Sequence, residues 1–434
     1  MDHEPMRFYI HTLGCKINQY ESQALREAWA GLGWHEVRDP GRADVILINT
    51  CAVTARAEDE SARLVRSLAA KTTAKVVATG CAASLPKRAW DDFRVLTIPQ
   101  GRKVDLLRGV DGYEDSSDVP KFADTFAPLA VQGSVRARGV VKVQDGCSHR
   151  CSYCIIPETR GPSRSRPAYE VIDEVDRLFS RGVPEVILSG INLRQFGMDL
   201  HPRIDFWDLV ADLGSMLSPK WAGRARIRLG SLEPSELGAK ALDTLEGHTL
   251  VCPHLHISLQ SASPRVLKAM NRGHYTAETV GDFIRNLERF WPSPAIGVDL
   301  LVGFPGETEE DFARTREFCL SFPVTYGHVF PFSPRPGTPA ATMPGQVGEK
   351  MKKERAKILR EILAGRKQSF LERISSLPRM CVVPETGRKG VCGRYMTCVL
   401  HEGERPMSKG RLVDVRPCGV HNDACLVRCD GEEG

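Results

Sequence analysis

Three cysteines stand within eight residues at Cys147, Cys151 and Cys154. So dense a set cannot pair off into disulfides, and thiolates grouped in this way suit zinc or an iron–sulfur cluster. The odd number is informative. A structural zinc site closes with four ligands, whereas three cysteines on a cubane cluster leave one iron free to bind a substrate. A strand-like run over 139–143 precedes the motif and a loop over 155–167 follows it.

A second set of cysteines is dispersed in sequence but regular in position. Residues 7 to about 115 alternate short apolar runs (7–11, 45–49, 75–79, 95–98) with amphipathic stretches (19–32, 55–70, 87–93), the pattern of a parallel sheet wound with helices. Cys15, Cys51 and Cys81 each follow one of the first three strands. In an open parallel sheet all strand C-termini lie along one edge, where ligands bind, so the three thiols are expected to converge there. Any one of them alone reads more readily as a buried structural residue. Their equivalent positions, with Gly14 and Gly80 beside two of them to permit close backbone approach, favour a second three-thiolate site.

The chain around these sites has 434 residues, 42% hydrophobic and 26% charged, which suits a globular protein of two to four domains. No basic, apolar leader opens the sequence and no run approaches the ~18 apolar residues that span a bilayer. A cytoplasmic protein without a membrane partner is expected. In that reducing setting fourteen cysteines read as ligands and small buried hydrophobes rather than disulfides.

From about 136 the strand–helix alternation resumes, with strands over 185–189, 224–229, 254–259, 295–302 and 325–331 and helices between them, implying a full or partial β/α barrel. The strand ends carry Gly190, Ser231, Glu233, Gln260 and Gly303, polar or small residues suited to a cofactor-sized mouth. Glu233 reads either as a ligand-binding carboxylate or as part of a helix N-terminal turn. The last residues form short β-like runs (380–384, 397–401, 412–417, 424–429) separated by turns, a small antiparallel β-barrel. The domains are expected at 1–118, 136–368 with a trailing basic helix, and 369–434, with a linker over 119–135.

Net charge is only +5, yet 134–167 holds seven basic residues against Asp145 and Glu158, and 350–373 holds nine basic against three acidic. Such clusters suit a polyanion, although a solvated helix face is an equal reading of the second. The end of the chain from Ile374 is nearly neutral, with nine basic and eight acidic residues. Its six cysteines (Cys381, Cys392, Cys398, Cys418, Cys425, Cys429) match no metal-site spacing and read as free thiols.

Cys147-x3-Cys151-x2-Cys154 with the aromatic Tyr153 resembles the signature of radical S-adenosylmethionine (SAM) enzymes. The whole chain resembles the methylthiotransferases among them, through Thr12-Leu-Gly-Cys-Lys-Ile-Asn-Gln-Tyr-Glu-Ser22, Pro157-Glu-Thr-Arg-Gly-Pro-Ser-Arg-Ser-Arg166, Asp299-Leu-Leu-Val-Gly-Phe-Pro-Gly-Glu-Thr308 and Ser333-Pro-Arg-Pro-Gly-Thr338. The loop with Lys16 after Cys15 is most like the MtaB branch, which acts on N6-threonylcarbamoyladenosine beside the tRNA anticodon. The branch acting on isopentenyladenosine more typically shows Gly-Cys-Gln-Met-Asn there, and the branch acting on a ribosomal-protein aspartate Gly-Cys-Pro-Lys-Asn.

The resemblance implies two 4Fe-4S clusters, one on Cys147, Cys151 and Cys154 that cleaves SAM, and one on Cys15, Cys51 and Cys81 that carries sulfur. It further implies SAM contacts at Tyr153, Gly190, Glu233 and Gln260, a C-terminal TRAM domain, and a tRNA anticodon stem-loop as partner. Arg160, Arg164 and Arg166 are expected to meet RNA phosphate, with salt bridges as the alternative. A flavodoxin- or ferredoxin-like reductant and a monomeric enzyme are expected. Ala262 and Phe332 depart from the family pattern, where glycine and tyrosine are usual. A methylthiotransferase on protein and a non-catalytic iron–sulfur RNA-binding protein are the other readings.

Overall fold

The computed structural model of the chain describes residues 4–110, 122, 125–134 and 136–429. Parts of the expected linker thus lie outside the described residues, while its Leu129 and Val131 are buried in the central core.

The N-terminal strands β1 (Arg7–Thr12), β2 (His35–Glu36), β3 (Val45–Thr50), β4 (Lys75–Gly80) and β5 (Val95–Thr97) form one parallel sheet in the order β2-β1-β3-β4-β5. All six residues of β3 are buried, as the run Val45-Ile-Leu-Ile demands of a central strand covered on both faces. Phe8, Ile10, Val45 and Leu47 face Leu25 and Trp29 of the helix Lys16–Gly31. Ile46 and Ile48 face Ala62 and Val65 of the helix Ala55–Lys71. The sheet is doubly wound, and its strand order reverses between β1 and β3.

The helix expected over 87–93 is absent. Pro86 opens the stretch, Arg88 Nε donates to Asp91 at 2.6 Å, and Trp90 turns inward to the core, so bends replace helical turns. A 3₁₀ helix, Gln100–Arg108, takes the place beside the sheet that the sequence had left open.

The central strands β6 (Arg138–Lys142), β9 (Glu185–Ser189), β10 (Arg226–Leu229), β11 (Ser231–Leu232), β12 (His254–Gln260), β13 (Ala295–Val302) and β14 (Tyr326–Pro331) are parallel, and the pair β7 (Gln144–Asp145) and β8 (Arg164–Ser165) forms a separate ribbon. The segment containing β10 and β11 pairs with β9 in its first half and with β12 in its second. At the change, a side chain on Gly230 would come within 2.7 Å of the Leu188 carbonyl oxygen. The result is an open six-stranded barrel with edges at β6 and β14. Tyr20 and Ala24 of the helix Lys16–Gly31 enter its core, which seats the N-terminal sheet against the β6 side.

The helix Glu349–Ile374 runs along β14 and ends in the core of the last module, contributing Phe370, Leu371 and Ile374. Several of its basic groups are spent on the barrel: Arg355 pairs with Glu307 at 2.7 Å and Arg360 donates to the Val329 carbonyl. The module itself is a closed barrel, β15-β16-β17-β19-β18, of β15 (Met380–Pro384), β16 (Lys389–Cys392), β17 (Thr397–Leu400), β18 (Val413–His421) and β19 (Ala424–Cys429). Cys392, Cys398 and Cys425 lie in its core. Among the described residues no three of the six C-terminal cysteines bring their sulfurs within 4.8 Å of one another, as a bound ion requires.

Candidate functional site

The loop bearing Cys147, Cys151 and Cys154 leaves the barrel through β7 and returns through β8, so the ribbon closes its base. Gly146 has φ +69°, and a Cβ there would lie 1.9 Å from the Pro162 carbonyl oxygen, so only glycine fits. Gln144 Oε1 accepts from the amides of Ile191 and Asn192, both at 2.9 Å. Gly190 makes room for this clamp, since its missing Cβ would stand 3.0 Å from the same oxygen. Ser148 donates its amide to Gln195 Oε1 at 2.8 Å, and Asn271 Nδ2 donates to the Arg150 carbonyl at 2.8 Å.

Polar groups point at the sulfurs. Asn192 Nδ2 lies 3.6 Å from Cys147 Sγ, and Arg272 Nη1 lies 3.7 Å from Cys151 Sγ. Burial pushes the Cys154 thiol up to about 12. Burial also raises Cys151, but His149 and Arg272 outweigh it and hold that thiol below its ordinary value. Glu233 is buried: its carboxylate accepts from Arg272 Nη2 at 2.6 Å and from His274 Nε2 at 2.8 Å. It also stands ahead of the short 3₁₀ turn Pro234–Glu236, as the reading of a helix N-terminal turn expects. Gln260 sits at φ +64° where the register between β12 and β13 shifts. Tyr153 meets Phe304 edge-on at 6.4 Å, and Phe304 meets Phe332 at 5.6 Å within an apolar cluster that has no need of a tyrosine hydroxyl at 332. Asn192, Arg272 and His274 were not singled out in the sequence, where no spacing marks them.

Cys15, Cys51 and Cys81 follow β1, β3 and β4, adjacent strands on either side of the point where the order reverses. Gly14 has φ +90°, and a Cβ there would be 2.9 Å from Cys51 Sγ. Asn18 Nδ2 ties the first two loops together, donating to the carbonyls of Leu13 at 2.8 Å and Thr50 at 2.9 Å. Cys51 and Cys81 are buried and Cys15 is exposed. Burial pushes the Cys51 thiol up to about 11, and a bound cation would favour its thiolate.

Zinc is a poor fit to either triad. Sulfurs at 2.3 Å from a tetrahedral zinc stand about 3.8 Å apart, yet neither triad is among the sets of ligand atoms gathered within 4.8 Å. Wider spacing with all-sulfur donors suits the corners of a cluster.

The three arginines expected on RNA phosphate are buried instead, and this corrects the surface reading. Arg160 is fully buried: Nη1 pairs with Glu21 at 3.0 Å and Asp145 at 2.8 Å, Nη2 donates to Asn18 at 2.6 Å, and Nε donates to Cys81 Sγ at 3.3 Å. Arg164 donates to the Arg160 carbonyl at 2.8 Å, and Arg166 pairs with Glu174 at 2.7 Å. Glu21 also receives Lys103 at 2.5 Å and Lys142 at 2.8 Å. Charges removed from water cost several kcal/mol each unless paired, and the partners here come from both the N-terminal sheet and the barrel. The basic run of 134–167 is thus largely a seam between two modules.

A family model described as the radical SAM superfamily matches residues 141–319, and one described as uncharacterized protein family UPF0004 matches residues 7–94. The radical S-adenosylmethionine methyltransferase TsrM from Kitasatospora setae has a similar fold, with a TM-score of 0.57 and 16% identity over 78% of this chain and 77% of that one. Fold and cysteine motif together define a radical SAM enzyme, with SAM and a 4Fe-4S cluster as its cofactors. The threonylcarbamoyladenosine tRNA methylthiotransferase MtaB of Aquifex aeolicus is 32% identical over 88% of this chain and 94% of its own length. That of Treponema pallidum is 31% identical over 96% and 99%. The tRNA-2-methylthio-N(6)-dimethylallyladenosine synthase of Pelotomaculum thermopropionicum is 32% identical over 81% of each chain. The chain belongs to the radical SAM tRNA methylthiotransferase family. Among the described residues no helix is long and apolar enough to cross a membrane.

Proposed function

We propose that the enzyme converts N6-threonylcarbamoyladenosine next to the tRNA anticodon into its 2-methylthio derivative. The observation that carries the reading is the placement of two three-cysteine sites on facing modules, joined by Arg160, which follows Cys154 in sequence and touches Cys81 in space. When bound, a cluster on Cys147, Cys151 and Cys154 supplies the electron that cleaves SAM, and a second on Cys15, Cys51 and Cys81 supplies the sulfur.

The protein's own groups have separable tasks. Glu233, fixed by Arg272 and His274, and Gln260, at the strained end of β12, would hold the methionine and ribose portions of SAM; their positions at strand ends support this. Tyr153 offers its ring to the adenine. Gly190, at the end of β9, would stand beside the methionine portion, with Gln144 packed against it. Asn192 and Arg272 orient the two thiolates they face. A small flavodoxin- or ferredoxin-like protein would deliver the electron to a monomeric enzyme in the cytoplasm.

The identity of about 32% to a dimethylallyladenosine synthase keeps isopentenyladenosine as a second reading. Anaerobically reconstituted enzyme, incubated with SAM, reductant and stem-loop RNA carrying either nucleoside, decides between them by mass spectrometry of the digested RNA. The 2-methylthio product is expected from the threonylcarbamoyl substrate. Product from the isopentenyl substrate alone would overturn the proposal.

A further inference from the structure

The basic stretch that buries Arg160, Arg164 and Arg166 begins with two arginines that are placed differently. Arg136, just before β6, and Arg138, its first residue, line a cavity of about 740 Å³ together with Lys16, Arg181, Lys409 and Glu385. All three modules contribute. Lys16 opens the helix Lys16–Gly31 beside the N-terminal sheet, Arg181 follows the central helix Ala168–Ser180, and Glu385 and Lys409 lie in the C-terminal barrel, after β15 and before β18. Five cations thus share one recess with a single carboxylate.

Most of that charge is uncompensated. Glu385 accepts from Arg138 Nη2 at 2.7 Å. Arg136 donates to Gln19 Oε1 at 2.8 Å and Arg181 to the Gln132 carbonyl at 2.7 Å, neutral oxygens that cancel no charge. Among the described residues no ion pair or hydrogen bond engages the ammoniums of Lys16 and Lys409. The seam around Arg160 is built otherwise, for there Lys103, Lys142 and Arg160 each meet Glu21 within 3.0 Å. Cations that served only to join modules would be paired in that way. Left unpaired, they repel one another and raise the local concentration of anions.

A phosphate group suits such a recess, because its oxygens accept charge-assisted hydrogen bonds from several cations at once. A phosphodiester strand can also enter a recess at a junction of modules, which the broad face of a folded acidic protein does less readily. We propose that a backbone phosphate of the RNA substrate enters this cavity, bound by Lys16, Arg181 and Lys409, with Arg136 and Arg138 as fixed positive charge around it. The contact reads no base and positions the strand across all three modules. It rests on tRNA as the substrate, whichever adenosine is modified.

The test measures the affinity of anaerobically reconstituted enzyme for an anticodon stem-loop by fluorescence anisotropy, between about 50 and 200 mM salt. Lys409→Gln, remote in sequence from both triads, and Lys16→Gln are each expected to weaken binding several-fold at the lower salt. The double variant should lose about tenfold or more, and its slope of log affinity against log salt should be shallower by about 0.7–0.9. Lys16→Arg and Lys409→Arg should keep most of the wild-type affinity. Lys71→Gln, at the end of the helix Ala55–Lys71 and away from the cavity, should bind as wild type does. Iron content and thermal midpoint show that each variant is assembled. A double variant with wild-type affinity and salt slope overturns the inference, and if it also binds a flavodoxin more weakly, the recess belongs to an acidic reductant. An equal loss in Lys71→Gln reveals a general effect of net charge and overturns it too. Wild type that does not bind the stem-loop overturns the tRNA reading along with it.

Discussion

Arg160 donates Nε–H to Cys81 Sγ across 3.3 Å from the end of the short helix Ile156–Arg160 that follows Cys154, so one fully buried guanidinium touches the second triad from the segment next to the first. A positive donor aimed at a thiolate stabilises the more reduced, more negative state of a cluster and raises its potential. Glu21 and Asp145 hold the guanidinium, so it cannot swing away without breaking two buried ion pairs.

Arg160→Met is therefore expected to lower the midpoint potential of the cluster proposed on Cys15, Cys51 and Cys81, by on the order of 60 mV, equal to a tenfold change in a one-electron equilibrium. The cluster on Cys147, Cys151 and Cys154 should keep its potential. Electron-spin resonance during a redox titration separates the two signals. A variant that shifts neither potential would show that the contact is only a structural seam.

Cys15→Ala and Cys151→Ala should part company. Without Cys151 no 5′-deoxyadenosine is expected from SAM under reductant. Without Cys15 SAM cleavage should persist while methylthiolated RNA is lost. Chromatography of deoxyadenosine and mass spectrometry of RNA nucleosides read the two products, and retention of methylthio product by Cys15→Ala would end the two-site proposal.

The positions of both cysteine sets in the fold could be read from the sequence, one from its spacing and the other from the strands that precede it. The first is a run of spacing, and the second rests on strand ends marked by Gly14 and Gly80. Strands with continuous apolar runs, such as Val45–Thr50 and Ala295–Val302, were equally plain. Charge left two readings open for Arg160, Arg164 and Arg166, and burial decides for the salt bridges: Arg160 meets Glu21 from a helix of the other module, which no local pattern connects to it, and Arg166 meets Glu174 in the helix that follows it. The strand Lys389–Cys392 was missed because it opens on a charged residue beside Arg388 and holds a glycine. The donors Asn192 and Arg272 acquire meaning only when folding brings them to sulfur.

Glu236 offers a test by pH. Burial pushes its carboxyl up to about 8, against about 4.3 for an unperturbed glutamate. A carboxyl raised in the folded state adds stability in its protonated form, fully present below the unfolded value and lost as pH rises through about 8. Thermal midpoints of wild type should thus fall between about pH 6 and pH 9 more steeply than those of Glu236→Gln. Parallel curves would sink the assignment.

Glu185 governs how the last module is attached. Its carboxylate accepts from Arg226 Nε at 2.6 Å and from Arg228 Nε at 2.8 Å. The same guanidiniums donate onward to the carbonyls of Cys381 and Val391, both at 2.8 Å, and of Gly393 at 2.9 Å, all in the C-terminal barrel. Burial alone would raise Glu185, but the two arginines reverse that and hold it at about 2. Its contribution is therefore present above the unfolded value near 4.3 and lost as pH falls toward about 2. Glu185→Gln leaves two buried cations without their counter-charge, a loss of about 3–5 kcal/mol for a broken buried pair. The expected result is earlier proteolytic release of the C-terminal barrel after the helix Glu349–Ile374, with the core of the central barrel still protected. Release at the wild-type rate would mean that the apolar contacts of Phe370, Leu371 and Ile374 suffice to hold the module.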